Sequence, residues 1–292
     1  MKYILGAIEN YTIDNIKCWV NSLERNVDDR DLEKIMLVYS GDNKLVEYLE
    51  ERDFTVVLPA GGRSETGEFR YVPSTGYNIC QSRFKHAARF FLNHRTIEAT
   101  DTILLTDVGD VVFQADPFTH IRLNASYDNT AIFATVENIL YMNEEWGKNN
   151  ISHAFPKAAA GMMQHEIYNA GVMAGRGKTF VEFLLRISDQ CSLSDYSNKV
   201  VPGGGGVDQA AYNILARSYL IKQWVERFPY LAYNAGTTHN PLYADRMIDE
   251  WLTHATFNAN DNLVNKSGYV FPIVHQYNRY PDLNSIIRSK YT

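Results

Sequence analysis

The apolar positions of the first sixty residues change period in a regular way. "KYILGAI" (2–8) is a short, near-continuous apolar run of the kind a buried strand needs. The next segment, "TIDNIKCWVNSLERN" (12–26), instead spaces Ile13, Ile16, Val20 and Leu23 at helical intervals behind Thr12, a plausible N-cap. "KIMLVYSG", "DNKLVEYLEERD" and "FTVVLPAGG" then read as strand, helix, and strand running into loop. This alternation is the signature of βαβ units, so an α/β fold with a mostly parallel central sheet flanked by helices is expected. Gly, Ser and Thr mark 61–77 as a long loop, and a helix is expected over 77–99.

Beyond residue 100, "TAIFATVE" (130–137) and "IYNAGVMAG" (167–175) read as strands. "GKTFVEFLLRISDQC" and "VDQAAYNILARSYL" read as helices. The stretch 141–166 looks like an irregular insertion placed to contact an acceptor, and the pattern loosens after Ser218 into a less regular C-terminal part. The glycine run 203–206 reads as a hinge, since it lacks the Lys-Ser/Thr that follows the glycines of a phosphate-binding loop. A single domain over 1–292 is expected, with 1–118 as a nucleotide-binding half and 119–292 as a sugar- and acceptor-binding half.

Composition narrows the function classes. Hydrophobic residues make up 45% and charged residues 21% of the 292 residues, as in a folded globular chain. A net charge of −6 argues against a nucleic-acid surface, which draws on clustered Lys and Arg. Cys18, Cys80 and Cys191 are widely spaced and form no CxxC pair, which speaks against zinc or a disulfide framework. The opening apolar run is too short for a signal peptide, and no stretch approaches a membrane span, so a cytoplasmic location is expected. The 19 tyrosines stand out, because aromatic clefts suit sugars and nucleobases.

One segment carries the chemistry. In "ILLTDVGDVVFQADPF" (103–118) an apolar run is followed directly by Asp107 and Asp110. Ligands of open α/β sheets sit beyond the carboxyl ends of the strands, and two carboxylates in such a turn can share Mg²⁺ or Mn²⁺ together with phosphate oxygens. The alternative is a capped turn with Asp110 in solvent. Asp116, paired with Pro117, reads as a turn or helix start.

"LLTDVGDVVFQADPF" resembles the metal-binding segment of GT-A fold glycosyltransferases, and three further pieces resemble the glycogenin-like group (glycosyltransferase family 8-like) in the same order. These are "IYNAGVMAG", "GVDQAAYN" and "FPIVHQYNRYP". The resemblance implies a metal-dependent glycosyltransferase that moves a sugar from a nucleoside-diphosphate donor, a UDP-sugar, to a glycan or other hydroxyl acceptor with retention of configuration. It implies Asp107, Asp110 and His275 at a Mn²⁺ or Mg²⁺ ion, with Asp107 sharing the metal or holding the ribose. As a lone residue His275 would read as a core histidine. The resemblance further implies Tyr11 at the nucleobase, Arg83 (or its neighbour Lys85) and Arg279 at the phosphates, and Asn169 and Gly171 along the sugar. Asp208 and Gln209 fall at the reacting carbon and acceptor, and in an inverting enzyme Asp208 would be the general base. The sequence departs from the family in spacing its acids D-x-x-D rather than D-x-D, and in lacking the Gly and Lys pattern after the histidine. A catalytically silent sugar- or nucleotide-binding relative is the remaining alternative. A haloacid-dehalogenase-like phosphatase lacks its acidic nucleophile pair here, and a sugar-nucleotide pyrophosphorylase lacks its Gly-rich basic signature in "GAIENYT".

Overall fold

The computed structural model describes residues 1–59, 79–123, 132–218, 225–228, 231–232 and 255–292. The expected loop 61–77 lies outside the described residues.

The first half alternates as its hydrophobic pattern requires. Strand β1 (Lys2–Glu9) leads to helix α1 (Ile13–Asn26), β2 (Leu32–Ser40), α2 (Asn43–Glu50) and β3 (Phe54–Val57). Thr12 stands at the N-cap of α1, and its backbone N–H donates to Asn15 Oδ1 at 2.8 Å, which closes the helix start. Helix α3 (Ile79–His94) then feeds β4 (Thr102–Thr106), and β5 (Val111–Phe113) and α4 (Pro117–Leu123) follow. Asp116 does start a helix: its Oδ1 accepts from Phe118 N at 2.9 Å.

The second half supplies β6 (Ile132–Leu140), helices α5 (Glu145–Ala154) and α6 (Pro156–Met162), and β7 (Glu166–Arg176). Helices α7 (Gly177–Ser192) and α8 (Asp208–Ala216) follow, then strands β8 (Val225–Phe228) and β9 (Leu231–Ala232). A hairpin of β10 (Thr256–Phe257) and β11 (Leu263–Val264), strand β12 (Ile273–His275) and a helix over Pro281–Tyr291 complete the described chain.

The central sheet has seven strands in the order β3-β2-β1-β4-β7-β6-β8. Its pairings are parallel except where β7 runs antiparallel to both β4 and β6. The sheet is therefore mixed, and β7 is the element whose direction departs from the parallel expectation. Side chains alternate across β1, so Tyr3 and Leu5 pack with Phe84 and Phe91 of α3 and Phe180 of α7, whereas Ile4 and Ile8 pack with Trp19 and Val20 of α1. Both faces are thus covered, and the carboxyl ends of β1 and β4 are left to form the floor of a cleft.

The stretch 141–166 is not irregular. Glu144 accepts from the N–H groups of Trp146 and Gly147 at the start of α5, and Pro156 opens α6 at a position where its missing donor costs nothing. No helix among the described residues is long and apolar enough to cross a membrane.

Candidate active site

Strand β4 is buried along its whole length, and Asp107 is the first residue after it. The backbone N–H of Asp107 donates to the carbonyl of Gly171 on antiparallel β7 at 2.5 Å, which fixes where the side chain emerges. Three residues on, Asp110 precedes β5, and β5 pairs antiparallel with β12 so that Val111 faces His275. The N–H of Gln276 donates to the carbonyl of Asp110 at 2.8 Å. Two strand pairings therefore bring residues from the middle and the end of the chain to one point.

At that point Asp107, Asp110 and His275 each offer a ligand atom, all within 4.8 Å of one another. His275 Nε2 lies 3.4 Å from Asp107 Oδ2 and 3.3 Å from Asp110 Oδ1. Burial opposes charge on the imidazole, but the Asp110 and Asp107 carboxylates outweigh it and push His275 up to about 9. Burial likewise opposes charge on Asp107, yet Arg83 and His275 hold its carboxyl well below the usual carboxylate range. Two carboxylates and one imidazole converging on one side form a donor set that suits a divalent cation. Gly171 is part of this fit, because a Cβ there would lie 2.5 Å from Asp107 Oδ2 and 2.9 Å from Asn169 Oδ1, and closer still to His275 Cε1.

Arg83, on α3, is buried beneath the acids. Its Nη1 contacts Asp107 Oδ1, and its Nη2 donates to the Ala170 carbonyl at 2.9 Å and reaches Asp208 Oδ2 at 3.5 Å. Asp208 is the first residue of α8, whose N-cap is Val207. Burial pushes the Asp208 carboxyl up, Arg83 pulls it down, and Asp107 adds to the rise. Gln209 uses its Oε1 to accept from Ala170 N at 3.1 Å.

A residue that the sequence reading did not single out ties this region together. Glu137, buried in β6, accepts from Asn169 Nδ2 at 2.7 Å and from Gln209 Nε2 at 3.2 Å. Asn169 in turn uses its Oδ1 to accept from Gly171 N at 2.7 Å. Asn169, Gly171 and Gln209 therefore form one hydrogen-bonded patch around Glu137. The signal existed in the sequence: "IFATVE" places an acid behind an apolar run, as "ILLTD" does.

One cavity lies against the acids and another against the Glu137 patch. The first, of about 480 Å³, is lined by Tyr11, Arg83, Asp107 and Asp110 together with Asn284 and Arg288. Tyr11 lies against Gly109, and burial and then the Asp110 and Asp107 charges push its hydroxyl up. The second, of about 330 Å³, is lined by Glu137, Gln209, Gln276 and Arg279, with Trp146 at its wall. The structure thus brings together Tyr11, Arg83, Asp107, Asp110 and His275, with Asp208 beside them. Arg279 stands apart, in the second cavity, and Arg288 is the further basic residue that lines the first.

No protein-family model matches the sequence, and no curated protein matches it. Solved structures do match the fold. WbbM, a bifunctional glycosyltransferase in its apo form, aligns with a TM-score of 0.54 at 11% identity over 94% of this chain. The galactosyltransferase LgtC, in complex with donor and acceptor sugar analogs, aligns with a TM-score of 0.51 at 14% identity over 98% of this chain and 95% of its own. This chain has the GT-A glycosyltransferase fold. Mouse xyloside xylosyltransferase 1, in its apo form, shares the GT-A architecture at a TM-score of 0.51 and 11% identity, with 96% of this chain and 99% of that one covered. The GT-A chain described here spans 45% of WbbM and nearly the full length of the other two.

Proposed function

We propose that the chain is a metal-dependent glycosyltransferase that takes a sugar from a nucleoside-diphosphate donor, a UDP-sugar, and places it on a hydroxyl of a glycan or other acceptor with retention of configuration. The observation that carries this reading is the convergence of Asp107, Asp110 and His275 beyond the carboxyl end of β4, with the two aspartates on the wall of the cavity that Tyr11 lines.

Asp107, Asp110 and His275 would hold a Mn²⁺ or Mg²⁺ ion, and such an ion, when bound, neutralises charge that builds on a departing diphosphate. The remaining work belongs to the protein. Tyr11 offers a ring face for a nucleobase. Arg83 and Arg288 are cations on the wall of the Tyr11 cavity, available to phosphate oxygens, and Arg83 also keeps Asp107 ionised and therefore competent as a ligand, whereas Arg279, in the second cavity, is not given the phosphate role its sequence position implied. Asn169 and Gln209 present amides whose orientation Glu137 locks, so hydroxyls of a donor sugar would meet fixed donors and acceptors rather than rotating ones. Gly171 lets the sugar and the acids approach the strand backbone closely. The contact of Asp208 with Arg83 supports a role for this carboxylate in placing charge near the reacting carbon.

The test is direct. A panel of nucleotide sugars is incubated with the protein with and without Mn²⁺, and nucleotide release is followed. Metal-stimulated release from one donor is expected, and Asp110→Ala should abolish the stimulation. Absence of release from every donor, with no nucleotide binding by calorimetry, would overturn the reading.

A further inference from the structure

The second cavity has a construction that the metal site does not explain. Its wall is Trp146, 39% exposed although it is among the largest apolar side chains of the protein. The indole does not lie loose. It is laid against the turn 201–205, where Gly205 has φ +78° and a Cβ would sit 2.7 Å from Trp146 Cζ2. Val201 N donates to Gly205 O at 3.0 Å and Gly204 N to Val201 O at 2.8 Å, so the glycine run read as a hinge is a hydrogen-bonded turn that abuts the Cζ2 edge of the ring and fixes its position. At its own end of the helix, Glu144 fixes Trp146 by accepting from its backbone N–H at 3.0 Å.

Around this platform stand planar amides and charges of both signs. Gln209 and Glu137 belong to the patch beside Gly171, and Gln276 follows the metal-site histidine directly. Gln276 holds a left-handed backbone at φ 62°, a conformation that a glutamine adopts at a cost and that recurs at ligand-binding positions. Its buried Oε1 has no hydrogen-bond partner among the described residues. Burial pushes the Glu144 carboxyl up, the N–H groups of Gly147 and Trp146 pull against it, and Arg279, on the same cavity, adds a smaller downward pull. Two carboxylates against one guanidinium leave no surplus positive charge, which disfavours an anionic guest. A part-exposed indole held at its edge and ringed by amides and carboxylates suits the apolar face and hydroxyl rim of a neutral pyranose.

We infer that this cavity is the acceptor subsite and that it takes a neutral sugar, with Trp146 as the stacking platform and Gln276 and Arg279 as hydroxyl partners. The word acceptor rests on the transferase reading; the binding of a neutral sugar does not. The cavity meets the donor side through Gln209, next to Asp208, and through Gln276, next to His275, so a hydroxyl held here adjoins the proposed reacting carbon.

Two measurements test it separately. In the first, neutral methyl glycosides and disaccharides are titrated against the protein, and binding is read by tryptophan fluorescence and by calorimetry, with no donor present. Saturable binding is expected, weakened at least tenfold in Trp146→Ala and largely restored in Trp146→Phe. In the second, the ratio of transfer to donor hydrolysis is measured with the best-bound sugar, and a fall of at least tenfold is expected in Trp146→Ala. Sugar binding that depends on Trp146 in a protein that turns over no donor would uphold the sugar site and defeat the transferase reading. Donor turnover without Trp146-dependent sugar binding, or transfer to peptide hydroxyls alone, would overturn the inference and leave the transferase reading standing. No binding of any neutral sugar overturns it as well.

Discussion

Gly171 and Asp107 hold each other in place from two directions. The Asp107 backbone N–H donates to the Gly171 carbonyl at 2.5 Å, and the space a Gly171 side chain would fill ends 2.5 Å from the Asp107 Oδ2. A glycine is required there because the carboxylate and the His275 ring occupy the position of a Cβ.

Gly171→Ala should therefore separate the metal ligands without dismantling the sheet. Overpacking of this kind costs about 1–3 kcal/mol, a loss the fold can absorb. Mn²⁺ affinity by calorimetry is expected to fall at least tenfold, about 1.4 kcal/mol, while the circular dichroism spectrum is retained. Unchanged Mn²⁺ affinity would mean that Gly171 does not shape the site.

The pH dependence of metal binding follows from His275. In the metal-free protein its imidazole is raised from 6.5 to about 9, so at neutral pH a cation must displace a proton. Mn²⁺ affinity should rise about tenfold per pH unit toward 9 and then level off, with one proton released per ion, as calorimetry in buffers of different ionisation enthalpy would show. His275→Asn should flatten the slope.

The same titration predicts the stability of the metal-free protein. A group whose folded pKa is raised contributes stability that is complete below its unfolded value of 6.5 and is lost as pH climbs through about 9. The melting temperature of metal-free wild type should fall across that window more steeply than that of His275→Asn.

Buried Arg83 sits between the part-exposed Asp107 and the buried Asp208. Arg83→Ala leaves the buried Asp208 carboxylate without its cation, and breaking a buried pair in this way costs about 3–5 kcal/mol. Urea unfolding should show the loss, and Asp208→Asn introduced into Arg83→Ala should recover part of it by removing the orphaned charge.

The base of the acidic loop can be tested apart from its chemistry. Trp19 Nε1 donates to Thr106 Oγ1 at 2.9 Å in the core, one residue before Asp107. Thr106→Val keeps the shape and leaves the indole N–H unpaired, a cost of about 1–3 kcal/mol. At about 2–4 °C per kcal/mol, a melting shift of several degrees is expected.

Period and punctuation made the first half of the fold legible. β1 through α3 carry their hydrophobic spacing locally, and local spacing is what a sequence displays. The direction of β7 was not legible, because "IYNAGVMAG" reads the same whichever way it is threaded beside β4; the order of strands in the sheet decides it. Helices α5 and α6 were hidden by the Asn, Gly and Met content of their segment, although Glu144 and Pro156 are recognisable helix starts. Within the site, Asp107, Asp110 and His275 lie together, and each stands at the edge of an apolar run: Asp107 and His275 close one, and Asp110 precedes the next. Glu137 carries the same mark and was passed over. Trp146, Gln276 and the separate place of Arg279 depend on how α5, the glycine turn and the segment after β12 meet in space, and nothing in their spacing announces that meeting.

The pairing of β12 with β5 has a consequence for the life of the protein. A chain emerging from the ribosome displays both acids long before the imidazole that closes their triangle. Copies cut short or clipped ahead of β12 keep the carboxylates and lose the third ligand, so they cannot assemble the full triad. The triad is complete only once β12 has paired with β5.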